Sequence, residues 1–213
     1  HYWQLSHEYL INPEGLKFNF GLTKTDSVPD DDQLQQLDVE TRGRSATIGL
    51  SYPYLRSREE NLVMDARLEF RDSDNLQLGQ IQTRDKLRTV RVGGVYDKAD
   101  AFAGGGVNLM SLTLNQGLDF ADAQVESRLL ADPNFTYLSF NLRRIQQLNE
   151  KFSLDMRMTG QYANETLPSS EQFGLGGEAN VRGYEPSEWT GDSALAVTGE
   201  IKYVLPVSWE GSG

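Results

Sequence analysis

The sequence contains no cysteine, which excludes a disulfide scaffold, a thiol nucleophile and any metal site built on thiolates. Histidine is almost as scarce, with only His1 and His7 in 213 residues. A Ser–His or Asp–His hydrolase would need His7 aimed at a partner, yet His7 alternates with Gln4, Ser6 and Glu8 on an otherwise apolar side. No apolar run approaches the ~18 residues of a membrane-crossing helix. There is no basic excess either: the net charge is −11, which opposes a protein that tracks nucleic-acid phosphates. No catalysis, cofactor, metal site or nucleic-acid partner is therefore expected. The mean hydropathy of −0.52 resembles that of a soluble chain, but a membrane barrel with alternate residues turned to a wet lumen has the same average. Periodicity has to decide.

What the sequence does have is alternation of period two. In residues 61–71 the even positions are Leu62, Met64, Ala66, Leu68 and Phe70, and the odd ones include Asp65, Arg67, Glu69 and Arg71. A strand sends these sets to opposite faces, one greasy and one charged. Phe152, Leu154, Met156, Met158 and Tyr162 repeat the pattern against Asp155, Arg157 and Thr159, and residues 195–205 repeat it again. Shorter versions run through Trp3/Leu5/Tyr9, Phe18/Phe20, Ile48/Leu50/Tyr52, Val90/Val92/Tyr96, Met110/Leu112/Leu114 and Leu138/Phe140/Leu142. This gives about nine strands, most about ten residues long, the length a tilted strand needs to cross a bilayer.

The connections alternate between short and long. Short ones fall at residues 12–15, 56–60, 97–100 and 147–150, and long ones at 24–44, 72–85, 116–133 and 164–192. Outer-membrane barrels have short periplasmic turns and long extracellular loops, whereas a soluble sandwich has no reason to put every long loop at one end. Trp3, Tyr9, Tyr52, Tyr96, Tyr162 and Tyr203 lie near strand ends, where aromatic girdles meet the lipid interface. The fold expected is all-β, a transmembrane antiparallel β-barrel. An odd strand count would leave edges unpaired in lipid, so residues 1–213 are expected to be part of a single larger barrel domain, from a chain exported to the outer membrane of a Gram-negative bacterium.

The last long connection differs from the others. It runs through Phe173-Gly174-Leu175-Gly176-Gly177 to Val181-Arg182-Gly183-Tyr184, glycine-rich and carrying one arginine. Such a loop folds inward where glycines permit close approach and the guanidinium finds a carboxylate. Gly174, Gly176 and Ala179 also match a dinucleotide fingerprint, but that motif needs a helix to follow, and Gly183 and Pro186 leave no room for one. The acidic run Asp30, Asp31 and Asp32 reads as a solvated loop face, and the sequons at Asn134 and Asn164 as chance.

Phe173, Gly176, Gly177, Val181, Arg182, Gly183 and Tyr184, together with the Tyr52-Pro53-Tyr54-Leu55-Arg56-Ser57-Arg58 segment, resemble motifs of the two-partner-secretion transporters (the TpsB, haemolysin-activator type). The resemblance covers essentially the whole chain. It implies a barrel of sixteen strands, an even number as such barrels have, in which this loop joins the eleventh and twelfth strands and acts as a conformational gate. It also implies that Arg182 pairs with an aspartate of the thirteenth strand, beyond this sequence, and that periplasmic substrate-binding (POTRA) domains lie upstream. The implied partner is a dedicated secreted exoprotein, an adhesin, haemolysin or contact-dependent toxin. The barrel is expected to be monomeric, bathed in outer-membrane lipid and lipopolysaccharide, with Asp65, Arg67, Glu69, Arg71, Arg91, Asp155 and Arg157 lining its lumen. An assembly factor of the same superfamily would share the Val-Arg-Gly-Tyr tetrad but not the Tyr-Pro segment, and a diffusion porin would need neither.

Overall fold

A computed structural model describes residues 1–28, 38–178 and 180–205; Asp30, Asp31, Asp32 and Ala179 lie outside them. Its strands are β1 (Tyr2–Leu10), β2 (Lys17–Ser27), β3 (Glu40–Arg56), β4 (Glu60–Gln77), β5 (Gln80–Asp100), β6 (Gly106–Gly117), β7 (Thr136–Gln147), β8 (Phe152–Ala163), β9 (Phe173–Leu175), β10 (Trp189–Gly191) and β11 (Ala194–Tyr203). Nine of them form one antiparallel meander in the order β1-β2-β3-β4-β5-β6-β7-β8-β11. These are the nine strands that the alternation marks. The short β9 and β10 pair only with each other, inside the last long loop.

The register sorts side chains by face with almost no exception. Across β1–β5 the outward rows are Leu5, Leu22, Ala46, Phe70 and Arg88, then His7, Phe20, Ile48, Leu68 and Val90, then Tyr9, Phe18, Leu50, Ala66 and Val92. The opposite face carries Ser51, Asp65 and Gly93 in one row and Thr47, Glu69 and Thr89 in another. A sheet with one continuous apolar face and one polar face suits lipid on the first and water on the second. Phe70 to Leu62 spans eight residue steps, about 27 Å along the strand and about 21 Å in height at a tilt of about 40°, close to the apolar band of a membrane barrel.

Three strands exceed the expected length: β3 has 17 residues, β4 has 18 and β5 has 21. Their extra turns stand beyond the apolar band, where both faces are polar and alternation carries no signal. For that reason residues 72–85, expected as a long loop, are ladder. Ser73 pairs with Asp85 and Gln77 with Gln80, leaving a two-residue turn. Leu78 and Gly79 both have positive φ, 52° and 72°, as a type I′ hairpin turn requires. At the other end β5 continues through Asp100, so the turn expected at residues 97–100 falls instead at 101–105.

Pro53 sits at a bulge in β3, where the register shifts between Pro53 and Leu55. The last β2 partner of β3 is Ser51, so proline's missing N–H interrupts no ladder there. The short turn at residues 11–16 closes over this point, with Gly15 against the proline ring.

Between the two faces there is little conventional core. Among the described residues one buried apolar cluster, Leu87, Phe135, Tyr137 and Leu167, sits at the long-loop end with Val125 and Ala163 packed on it. Two of the long connections, residues 118–135 and 164–193, meet there over the polar face.

Candidate functional site

Residues 164–193 return over the polar face and are held by two sets of contacts of different character. The first is at the base. Leu167 is fully buried, and a single 3-10 turn, Ser169–Glu171, follows it. That turn delivers the Glu171 carboxylate, 2% exposed, into a cluster on the sheet. Arg91 of β5 donates from Nη2 to both carboxylate oxygens at 2.9 and 3.0 Å. Its Nη1 donates to Asn115 Oδ1 at 2.6 Å and to the Tyr137 hydroxyl at 2.8 Å. The Tyr137 hydroxyl in turn donates to Glu171 Oε2 at 2.5 Å. Glu69 accepts from Arg91 at 3.3 Å, and Arg71 bridges Glu69 at 2.6 Å and Glu171 at 3.4 Å. Gln161 of β8 donates to the Glu171 carbonyl at 2.9 Å.

Two guanidiniums, Arg71 and Arg91, thus balance two carboxylates, Glu69 and Glu171. Among the described residues no buried side-chain polar atom lacks a partner. Buried charge is tolerable only when paired and hydrogen-bonded in this way. Removing one partner of such a cluster costs about 3–5 kcal/mol.

A second tie closes the base. Arg128, from residues 118–135, donates to both oxygens of Asp192 and to the Leu167 carbonyl, the last at 2.7 Å. Asp192 also accepts from the Leu167 N–H at 3.3 Å. One carboxylate therefore holds both ends of the loop and ties them to its neighbour. Burial pushes the Asp192 carboxyl up, but the hydrogen bond from Arg128 and that from Leu167 outweigh it, and its pKa lies below the ordinary aspartate value. Asp85 fixes the neighbouring loop by accepting the backbone N–H groups of Glu126 and Ser127 at 2.8 and 2.9 Å.

The tip is a compact turn built from the motif residues. Phe173 pairs with Gly191 and Leu175 with Trp189. The Gly177 N–H donates to the Tyr184 carbonyl at 3.0 Å, and the Val181 N–H to the Gly177 carbonyl at 3.1 Å. Gly176 has φ of +120°, and a Cβ there would stand 2.1 Å from the Glu185 carbonyl oxygen, so only glycine fits. The Tyr184 and Trp189 rings lie 4.7 Å apart. Among the described residues no helix follows Gly174 and Gly176, and the dinucleotide match has no structural counterpart.

Among the described residues Arg182 makes one ion pair, to Glu200 of β11 at 2.7 Å, with its own side chain 65% exposed. The aspartate that the resemblance assigns to this arginine belongs to a later strand, outside the sequence. Glu200 is the register partner of Asp155, whose fully buried carboxylate accepts from Arg143 at 2.7 and 2.9 Å, Arg157 at 3.1 Å and Lys202 at 2.9 Å. Below the tip a cavity of about 340 Å3 opens between Asn180 and the wall residues Asn141, Arg143, Arg157 and Thr159.

All seven residues expected to line the lumen lie on the polar face. They do not act alike. Glu69, Arg71 and Arg91 belong to the Glu171 cluster, Asp155 and Arg157 to the lower one, and Asp65 and Arg67 make no side-chain ion pair among the described residues. Glu171, Tyr137, Asn115, Arg128, Asp192, Glu200 and Lys202 carry contacts that the sequence did not single out. Asn115, Tyr137, Glu200 and Lys202 were open to recognition as polar-phase positions of their strands; nothing local marks Glu171 or Asp192.

The family described as haemolysin secretion/activation protein ShlB/FhaC/HecB matches residues 17–211. The chain belongs to that family. It is 25% identical over 178 residues to the heme/hemopexin transporter protein HuxB of Haemophilus influenzae, covering 79% of this chain and 31% of HuxB. HuxB of strain 86-028NP gives the same identity and coverage. The chain thus spans about a third of the length of these relatives. Among solved structures it superposes on CdiB from Acinetobacter baumannii with a TM-score of 0.67 at 20% identity, covering 97% of this chain and 37% of that one. For CdiB from Escherichia coli the TM-score is 0.66 at 16% identity, covering 91% and 36%. The nine-stranded sheet therefore has the fold of a ShlB/FhaC/HecB-type barrel wall, and the family is one of secretion and activation proteins, not of enzymes.

Proposed function

We propose that this chain is the wall and gate of an outer-membrane pore that exports one dedicated exoprotein by two-partner secretion. The observation that carries the proposal is the asymmetry of the loop's attachments. Its base is pinned by the buried Glu171–Arg91–Tyr137 cluster, whereas the one ion pair at its tip among the described residues is the largely exposed Arg182–Glu200 pair. Exposed pairs of this kind contribute about 0–1 kcal/mol, several-fold less than the base. An extended polypeptide moving along the polar face would displace the tip and leave the base in place.

In this reading Phe173, Gly176, Gly177, Val181, Arg182, Gly183 and Tyr184 form the moving part. Asp65, Arg67, Asp155 and Arg157 line the path. HuxB bears the name of a heme/hemopexin transporter, which supports a transport role but does not fix the cargo. The remaining strands, upstream POTRA domains and a monomeric state are part of the proposal, as is residence in the outer membrane of a Gram-negative cell. No bound nucleotide enters it, and folding of the exoprotein outside the cell supplies the direction.

The test is deletion of the full gene in its own host, followed by quantitative mass spectrometry of culture supernatant and outer membrane. Loss of one large secreted protein, with other barrels unchanged, supports dedicated export. Broad depletion of outer-membrane proteins makes the protein an assembly factor and overturns the proposal.

A further inference from the structure

The outward face of β2–β5 changes character above the apolar band. Lys24, Arg44, Asp72 and Lys86 stand in one register row directly above Leu22, Ala46, Phe70 and Arg88, and Asp26, Arg42, Asp74 and Arg84 form the next row up. The acids here are nearly all spoken for. Asp26 pairs with Lys24 at 3.0 Å, Glu40 with Arg42 at 2.8 Å, Asp72 with Arg88 at 2.7 Å and Asp74 with Arg84 at 2.6 Å. Arg44 and Lys86 have no ion pair among the described residues. Asp72 stands between them in that row but is taken up by Arg88, so on a chain of net charge −11 two cations without an ion pair among the described residues, at the edge of the apolar band on the membrane-facing side, are a specific placement.

The surface beneath them is grooved. A cavity of about 450 Å3 lies between Trp3, Leu22, Ala46 and Phe70, with Lys24, Arg44, Arg88 and the Arg88-paired Asp72 at its rim. Ala46 leaves the gap between the larger Leu22 and Phe70. A second cavity of about 350 Å3, lined by Phe18, Ile48, Leu50, Ala66, Leu68 and Val90, continues lower on the same face. Arg88 is 7% exposed and lies over the Phe70 ring at 5.4 Å, and Phe120 packs edge-on against Phe70 at 5.9 Å. Arg88 and Phe120 thus hold the Phe70 side of the upper groove in place.

We infer that this groove binds a phosphorylated glycolipid of the lipid A type, with its phosphates on Arg44 and Lys86 and an acyl chain along the Ala46–Ala66 track. Arg44 and Lys86 are two strands apart, about 10 Å, which fits a headgroup with two separated phosphates better than one compact phosphodiester. Guanidinium pairs with phosphate through two parallel donors, and lysine as a point charge. The inference rests on the outer-membrane reading above, because it needs the long-loop end to face the outer leaflet.

The test uses the purified full-length protein in detergent and measures retention of added lipid by native mass spectrometry. Three probes are compared: bisphosphorylated lipid A, its dephosphorylated form and inorganic phosphate. The wild type is expected to retain the bisphosphorylated lipid about tenfold more tightly than the dephosphorylated one, a difference of about 1.4 kcal/mol. The variant Arg44→Gln/Lys86→Gln removes that preference. Ala46→Phe fills the groove without touching charge and weakens both lipids, which keeps the test open if the double variant does not fold. Equal retention of the two lipids overturns the inference, as does undiminished binding by both variants. Binding of inorganic phosphate as tight as that of the lipid also overturns it, in favour of a free-anion site. Cell fractionation separates the two readings: a protein absent from the outer membrane refutes the pore proposal, whereas one present there but indifferent to lipid phosphate refutes only this site.

Discussion

Arg91 and Glu171, 80 residues apart in sequence, meet through two hydrogen bonds of 2.9 and 3.0 Å with both side chains buried. The pair joins the centre of the sheet to the first turn of the last long loop. It makes the base of that loop part of the wall.

Replacing Glu171 with Gln leaves Arg91 and Arg71 facing an uncharged group in a desolvated site. We expect a loss of about 3–5 kcal/mol, read as a lower midpoint in denaturant unfolding of the full-length protein in detergent. Arg91→Met has a similar effect. The double variant Arg91→Met/Glu171→Gln costs less than the two single losses added together, because no unpaired charge remains on that pair. Simple additivity would show that the two residues are not coupled.

At the tip, Arg182→Ala or Glu200→Ala lowers stability by less than about 1 kcal/mol, since the pair is largely exposed. The same variants raise the protease sensitivity of residues 172–191 and the frequency of channel opening in planar bilayers. A tip that remains protected and closed in both variants contradicts a weak latch.

Asp192 gives the loop a pH dependence. Its folded-state pKa is depressed by Arg128 and the Leu167 N–H, so its stabilisation is present above the unfolded aspartate value, about 3.9. It is lost as pH falls through the lower folded value. Hydrogen exchange at Leu167 is therefore expected to be slow at neutral pH and to rise below about pH 4 relative to an Asp192→Asn variant, which lacks the transition.

Leu78 carries φ of 52° at the first centre of the two-residue turn between β4 and β5. A left-handed leucine is strained by about 1–2 kcal/mol, and asparagine suits that position of a type I′ turn. Leu78→Asn is expected to slow hydrogen exchange in Asn75 and Thr83 by several-fold without altering transport.

Much of the sheet was legible because lipid imposes a strict rule. Met64, Leu68 and Phe70 must alternate with Asp65, Glu69 and Arg71 where one side is hydrocarbon, and all nine strands of the sheet follow from it. The rule lapses where both sides are wet, which is why residues 72–85 read as a loop although they continue the ladder. Gly176 and the aromatic Tyr184 stood out in the sequence, and both belong to the compact turn at the tip. The loop's anchors did not stand out: Glu171 meets Arg91, and Asp192 meets Arg128, only after strands distant in sequence have been set side by side. Glu200, the ion-pair partner of Arg182 among the described residues, was not singled out for a related reason, since on its strand it looks like any other polar-phase residue.

In this mechanism the tip moves while the base stays. This chain contributes no cysteine, so pairs of cysteines are placed at Arg182 and Glu200 or at Glu171 and Arg91 in a full-length protein whose other cysteines, where present, are replaced by serine. Each pair is bridged in living cells by a reductant-cleavable bismaleimide, and the secreted partner is quantified. Bridging the tip should stop export and reduction should restore it, whereas bridging the base should leave export unchanged. Export that continues with the tip bridged would contradict the account.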